Sequence, residues 1–269
     1  MPVVEINGTP LSYETTGEGE PLVLVHGSWG ESTMWGFVSP GLAETFRVVT
    51  YDRRGHGQSG GPPSEGTVHD DVADLAALIE GLDLGPAHVC GSSYGTNITL
   101  RLAIERPDLV RRVAGHEPPL LALLAGHPEH TAIFEETTAS LDAVRKHLEC
   151  GSHARGAELF VEEVAIGRGM WALLPPEMQD NFTHHGPTFL GELRDPDAFA
   201  IDVDVLAAIS MPLLLTDGDA SPPMFAPIIA CLAASLPDAH WHTFAGTGHV
   251  PQLTHLDEYV ATITGFLTG

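Results

Sequence analysis

Ser93 has the setting in this chain that most invites chemistry. It stands in Val89-Cys90-Gly91-Ser92-Ser93-Tyr94-Gly95-Thr96, an apolar run that enters a small-x-Ser-x-small turn. That spacing fits the G-x-S-x-G elbow, in which a strained strand-to-helix turn lifts one serine above a sheet. Gly91 and Gly95 fall where strand and helix approach so closely that a Cβ would collide. Tyr94, next after the serine, offers its backbone N–H to an oxyanion from the first turn of the helix. A serine hydroxyl is a weak nucleophile at neutral pH and needs an adjacent base, itself oriented by a carboxylate. Of the fifteen histidines, His249 alone occupies the loop after the last expected strand, within Ala245-Gly246-Thr247-Gly248-His249.

The elements that must position these residues follow from hydropathy. Residues 3–6 and 11–15 alternate around Asn7-Gly8, which predicts a β-hairpin. The continuous apolar run 22–25 predicts a strand buried on both faces of a parallel sheet. It stops at His26-Gly27-Ser28-Trp29-Gly30, a glycine-rich turn of the kind that binds ligands at the carboxyl end of a strand. In a serine hydrolase this turn supplies the second oxyanion donor, here the Ser28 backbone N–H ahead of that of Trp29. The Trp29 side chain reads first as packing and second as cavity lining. Residues 47–51 predict a strand, and Asp52-Arg53-Arg54-Gly55-His56-Gly57-Gln58-Ser59 a tight hydrogen-bonded turn. That turn is structural, so His56 is a poor base.

Helical spacing covers 68–82, and the elbow strand 87–90 is followed by a helix over 94–106 that Pro107 stops. A strand over 109–115 ends in His116-Glu117-Pro118-Pro119. From Leu120 to about Ile209 the strand–helix alternation gives way to helical patterns, with examples at 132–148 and 157–166. This predicts a helical insertion over the sheet. The rhythm returns with a strand over 212–216, a helix over 224–236, a strand over 240–244 and a last helix over 257–267. The expected organisation is a core of residues 1–119 and 210–269 and a helical cap of residues 120–209.

Composition narrows the function classes. Twelve basic against 36 acidic residues give a formal charge of −24, with Lys146 the only lysine. Such a surface repels nucleic acid and anionic membranes and favours neutral or cationic ligands. Cys90, Cys150 and Cys231 are odd in number and irregularly spaced, and the N-terminus lacks a basic-then-apolar signal region. A soluble cytoplasmic protein with free thiols is expected, and no apolar run approaches the roughly 20 residues of a membrane span. His127-x-x-His130, His184-His185 and Cys150-x-x-His153 form no set of three or four ligands at zinc spacing. Neither a metal nor a cofactor is expected.

His26-Gly27, Asp52-x-x-Gly55-x-Gly57-x-Ser59, the Ser93 elbow and Gly246-x-Gly248-His249-x-Pro251 together resemble the α/β-hydrolase superfamily over nearly everything outside the insertion. The order Ser93, acid, His249 is the one that this superfamily uses. The resemblance implies an α/β fold with a mostly parallel eight-stranded sheet, helices on both faces, a helical cap between the sixth and seventh strands, and an active site between core and cap. Most relatives carry the acid after the seventh strand, but here that register falls near Ala220 or Ser221, with Asp217 and Asp219 close by. Glu117, at the tip of the sixth strand, is the other known place, used by some haloalkane dehalogenases. His116-Glu117-x-Pro also resembles the acid segment of fungal lactone hydrolases that open zearalenone. Glu117 is the preferred acid and Asp219 the alternative; in the first case Asp219 is expected to cap the helix that follows.

These readings lead to two-step acyl transfer. His249 takes the Ser93 proton, Glu117 fixes the imidazole, the Ser28 and Tyr94 amides hold the oxyanion, and water releases the acid. A serine nucleophile argues against haloalkane dehalogenase or epoxide hydrolase chemistry, which needs a carboxylate. An insertion of this size suits a fairly apolar ester or lactone, with Trp29, Trp171, Met178 and His185 as candidates for contacting it; Met170, Trp171, Met178 and Phe182 read first as cap core, one or two of them lining the cavity. A carbon–carbon bond hydrolase and a cofactor-free perhydrolase use the same triad. A receptor-like hydrolase with little turnover is the alternative of another class. The oligomeric state is open, a homodimer included.

Overall fold

Leu22, Val23, Leu24 and Val25 are all fully buried, and their period of two decides the layering. Val23 and Val25 join a cluster of 36 buried apolar residues on one face, whereas Leu22 and Leu24 join a second cluster of 14 on the other. A strand apolar on both faces needs helices on both sides. The computed structural model, which describes Met1–Gly269, supplies them. The larger cluster is completed by the helices Val68–Gly81, Tyr94–Glu105 and Phe225–Ser235, and the smaller by Leu256–Thr268.

The strands are β1 (Val3–Ile6), β2 (Thr9–Thr16), β3 (Glu20–Val25), β4 (Phe46–Tyr51), β5 (Ala87–Ser92), β6 (Val110–His116), β7 (Leu213–Gly218) and β8 (His240–Phe244). They form one eight-stranded sheet in the order β1-β2-β4-β3-β5-β6-β7-β8. β1 and β2 are antiparallel to their neighbours, and every other pairing is parallel. Asn7 and Gly8 both have positive φ, as a two-residue hairpin turn demands. Strand β5 lies beside β3 and β6, so the elbow at its end, the loop after β3 and the residue after β6 converge on one edge.

Between β6 and β7 the chain forms no strand. It carries the helices Thr131–Glu149, His153–Phe160, Pro176–His184 and Gly186–Arg194. The helix expected over 157–166 starts earlier, at His153, and changes at Val161–Ala165 into a π-helical turn. Such turns recur at functional sites because the extra residue redirects side chains. Val144, Leu148, Ala157, Phe189 and Leu190 of this insertion bury their apolar side chains with Trp29 of the core. No helix is long and apolar enough to cross a membrane.

Candidate active site

The elbow is built from two close approaches. A Cβ on Gly95 would lie 2.1 Å from the Val25 carbonyl oxygen, and one on Gly91 would lie 2.5 Å from the Gly95 carbonyl. Only glycines let the Tyr94–Glu105 helix start that near the sheet. Ser93 pays for the tight turn with φ 54° and ψ −123°, a backbone region that non-glycine residues rarely occupy. Trp29 (φ 59°) and Glu117 (φ 42°) are also left-handed, so each of three loops around the site holds a strained residue.

Glu117 follows the tip of β6 and is fully buried. Its Oε2 lies 2.6 Å from His249 Nδ1, and its Oε1 accepts a hydrogen bond from Gly218 N–H at 2.8 Å. Burial alone would raise the Glu117 pKa, but the neighbouring His116 and His249 imidazoles outweigh it and hold the carboxyl below its ordinary range. The Glu117 contact assigns the Nδ1 proton to His249 and leaves Nε2 for the cavity. The Phe225 ring stacks on His249 at 4.4 Å, fixing its plane. His249 makes no hydrogen bond to Ser93; both face one cavity, and such contacts are often loose before substrate binds.

The alternative acid is elsewhere. Asp219 Oδ1 accepts from Gly246 N–H at 2.6 Å, and Asp217 Oδ1 accepts from Thr243 at 2.7 Å. Asp219 does not cap the following helix either, whose first turn has no side-chain cap. The reason is plain in the register: β7 runs on through Gly218, which sets Asp217 beside Thr243 and Asp219 beside Gly246, short of the His249 ring.

The cavity is narrow, with about 30 Å³ open to the centre of a water-sized sphere, and is lined by thirteen residues, of which Ser28, Ser93 and His249 are the polar ones. Leu141, Phe160, Val164, Ala165, Phe189 and Phe199 close it from the insertion, and Met224 and Phe225 from the core. None of the four expected contact residues is among them. Trp29 is buried against Phe160, Phe182 and Phe189, which is the packing role. Trp171 packs on Phe182, and Met178 is largely exposed. His185 is buried in a stack on His56, away from the cavity. Residue type alone suggests all four; packing instead buries Trp29 and His185 in the seam, sets Trp171 against Phe182 and leaves Met178 exposed. The signal that the sequence offers is the Met224-Phe225 pair, which follows the turn at the carboxyl end of β7.

Asp52–Ser59 is a scaffold. Asp52 accepts from the backbone N–H groups of Ser32 and Gln58, and His26, neutral because it is buried beside Arg53, accepts from Arg53 N–H at 3.0 Å. The buried Arg53 guanidinium pairs with Asp71 at 2.8 Å and with Glu192 at 2.6 Å. Burial of two carboxylates on one guanidinium pushes Asp71 up to about 6. His116, Glu117 and His249 offer ligand atoms within 4.8 Å of one another and are the one group of three that could hold a metal ion. The pairs at 127/130, 184/185 and 150/153 have no third ligand beside them.

The architecture and the elbow geometry agree with the comparisons. Residues 22–262 match the Alpha/beta hydrolase family. An uncharacterised hydrolase, YraK, of Bacillus subtilis is 28% identical over 252 residues, which span 90% of this chain and 87% of that protein. The (E)-2-((N-methylformamido)methylene)succinate hydrolase of Acinetobacter baylyi is 36% identical over 108 residues, 40% of this chain and 41% of that one. Among solved structures, that of Est816, described as an N-acyl homoserine lactone degrading enzyme, superposes with a TM-score of 0.73 at 25% identity, covering 98% of this chain and 100% of the other. The chain is therefore a member of the alpha/beta hydrolase family.

Proposed function

We propose that the chain is a serine hydrolase that cleaves a neutral, apolar carboxylic ester or lactone through an acyl-enzyme. The observation that carries this reading is an uncharged cavity whose polar lining consists of Ser28, Ser93 and the Glu117-paired His249. His249 Nε2 removes the Ser93 proton as Oγ attacks the carbonyl carbon, and the same proton passes to the leaving alkoxide. Glu117 stabilises the imidazolium that forms between the two steps. The tetrahedral oxyanion is held by the N–H groups of Ser28 and Tyr94. The latter lies in the first helical turn, where no intrahelical acceptor exists, and the former has no hydrogen-bond acceptor within the protein. Water activated by His249 then releases the acid. The helical insertion acts as the cap that supplies the apolar wall.

The likeness to a lactone-degrading enzyme supports a lactone within this class. The cavity offers no cation to a substrate carboxylate, so the likeness to a succinate-derivative hydrolase supports the hydrolase class and not a dicarboxylate substrate. The test is a panel of p-nitrophenyl esters of increasing chain length beside small and macrocyclic lactones, with fluorophosphonate labelling of wild type and Ser93→Ala. Labelling at Ser93 with turnover of neutral members is expected. Full turnover by Ser93→Ala would overturn the mechanism.

A further inference from the structure

Among the insertion helices that pack on the oxyanion-side loop, Gly186–Arg194 holds it by both an aromatic and a polar contact. Phe189 and Glu192 are three residues apart and so share one helix face. Phe189 packs on the Trp29 ring at 4.8 Å, and Glu192 Oε2 accepts the hydroxyl of Ser28, the residue before Trp29. The other carboxylate oxygen of Glu192 accepts from Arg53 at 2.6 Å, and the same Arg53 nitrogen reaches the Gly27 carbonyl at 3.4 Å. Gly27 is itself pressed on the nucleophile turn: a Cβ there would lie 2.9 Å from the Ser92 carbonyl oxygen and 3.0 Å from Ser93 Cβ. Glu192 thus holds Ser28 directly and Gly27 through Arg53, on either side of the peptide bond that carries the Ser28 N–H. It is buried, lies outside the cavity lining and cannot touch substrate.

We propose that Glu192 is a positioning residue of the insertion that sets the Ser28 N–H for the oxyanion, so that the cap helix and the transition-state donor move as one body. This rests on the serine-hydrolase reading above. A donor displaced by about 1 Å loses on the order of 100-fold in rate, whereas ground-state binding in an apolar cavity does not depend on that donor. The expected signature is therefore confined to the tetrahedral species.

The experiment compares wild type, Glu192→Gln and Ser28→Ala, which removes the hydroxyl but keeps the backbone N–H. For each, kcat and KM are measured on the best neutral ester, with inhibition by a trifluoromethyl ketone and by the methyl ketone of the same chain. Both variants are expected to lose roughly 10- to 100-fold in kcat with KM within about twofold. Affinity for the trifluoromethyl ketone, which forms the oxyanion, should fall by a similar factor while that for the methyl ketone stays level. The double variant should be no worse than the weaker single one. Unchanged kcat, or equal weakening of both ketones, would overturn the proposal. If Glu192→Gln does not fold, Ser28→Ala alone decides by the same two ketones. Fluorophosphonate labelling of wild-type Ser93 separates the premises: its absence would sink the serine mechanism, and its presence with unmoved ketone affinities would sink only the role of Glu192.

Discussion

Glu117 and His249 meet at 2.6 Å across 132 positions of sequence, and the carboxylate is the fully buried partner. Its second oxygen is held by Gly218 N–H, so it cannot turn away from the imidazole. Glu117→Gln keeps the shape but removes the charge that stabilises the imidazolium, and the amide can present its NH₂ to Nδ1 and reverse the tautomer. A loss of roughly 10³- to 10⁴-fold in kcat is expected, measured on a p-nitrophenyl ester. Asp219→Asn, which touches Gly246 and not the histidine, should stay within about threefold of wild type. The reverse ranking would move the acid to β7.

The Arg53–Asp71 pair gives a pH signature. Asp71 has its pKa pushed up to about 6 by burial, above the value of an unfolded aspartate. The folded chain therefore binds a proton that the unfolded chain releases, and this group's contribution to stability falls as pH rises from about 4 to about 6. The whole effect is on the order of 3 kcal/mol. Urea melts of wild type and Asp71→Asn at pH 4.5 and 7 capture about two thirds of it. Wild type should lose ground to the variant on going to pH 7, and a gain would show that Arg53 holds Asp71 ionised.

Glycine at position 95 is demanded by the distance to Val25. A Cβ would sit 2.1 Å from the Val25 carbonyl oxygen and 2.8 Å from that of His26, both backbone atoms that no side-chain rotamer can relieve. Gly95→Ala must push the nucleophile helix off the sheet, which should cost at least about 3 kcal/mol in thermal or urea unfolding. Gly265→Ala, on an exposed face of the last helix with nothing within 4 Å, should be neutral or slightly stabilising. Similar behaviour of the two variants would mean that the elbow is looser than its geometry.

These contrasts also explain what could be read from the residue order. The elbow, the glycine-rich turn after β3 and the histidine loop are local: tight backbone geometry dictates residue type within a few positions, so Gly91, Ser93 and Gly95 announce themselves. Both faces of β3 were legible for the same reason, since its apolar run admits no solvent face. Glu117 was legible only as a position relative to the end of β6, because its partner comes from a distant loop. The cavity wall was not legible. Trp171, Met178 and His185 have the right chemistry, but which face of an insertion helix meets substrate is settled by how helices pack on one another and on Trp29. Glu192 and Arg53 are 139 positions apart, and no local pattern joins them.

On the ester-hydrolase reading, the cavity wall determines which acyl groups the site can accept. Leu141, Phe160, Phe189 and Phe199 present hydrocarbon from the insertion, and no charged side chain lines the space. An acyl chain that enters gains up to about 0.8 kcal/mol for each methylene it buries, so kcat/KM should rise with chain length until the narrow apolar space is filled. A terminal carboxylate at the same depth would lose its hydration with no partner, which costs several kcal/mol, and the formal charge of −24 would slow its approach as well. Neutral pentanoate esters should therefore exceed the equally long succinate monoesters by at least about 100-fold in kcat/KM. Phe199→Ala should move the optimum toward longer chains, because it removes wall and leaves Ser93, His249 and Glu117 in place. Comparable turnover of succinate monoesters would mean that a cation reaches the site from outside the cavity lining, and the substrate would then belong with the dicarboxylate derivatives.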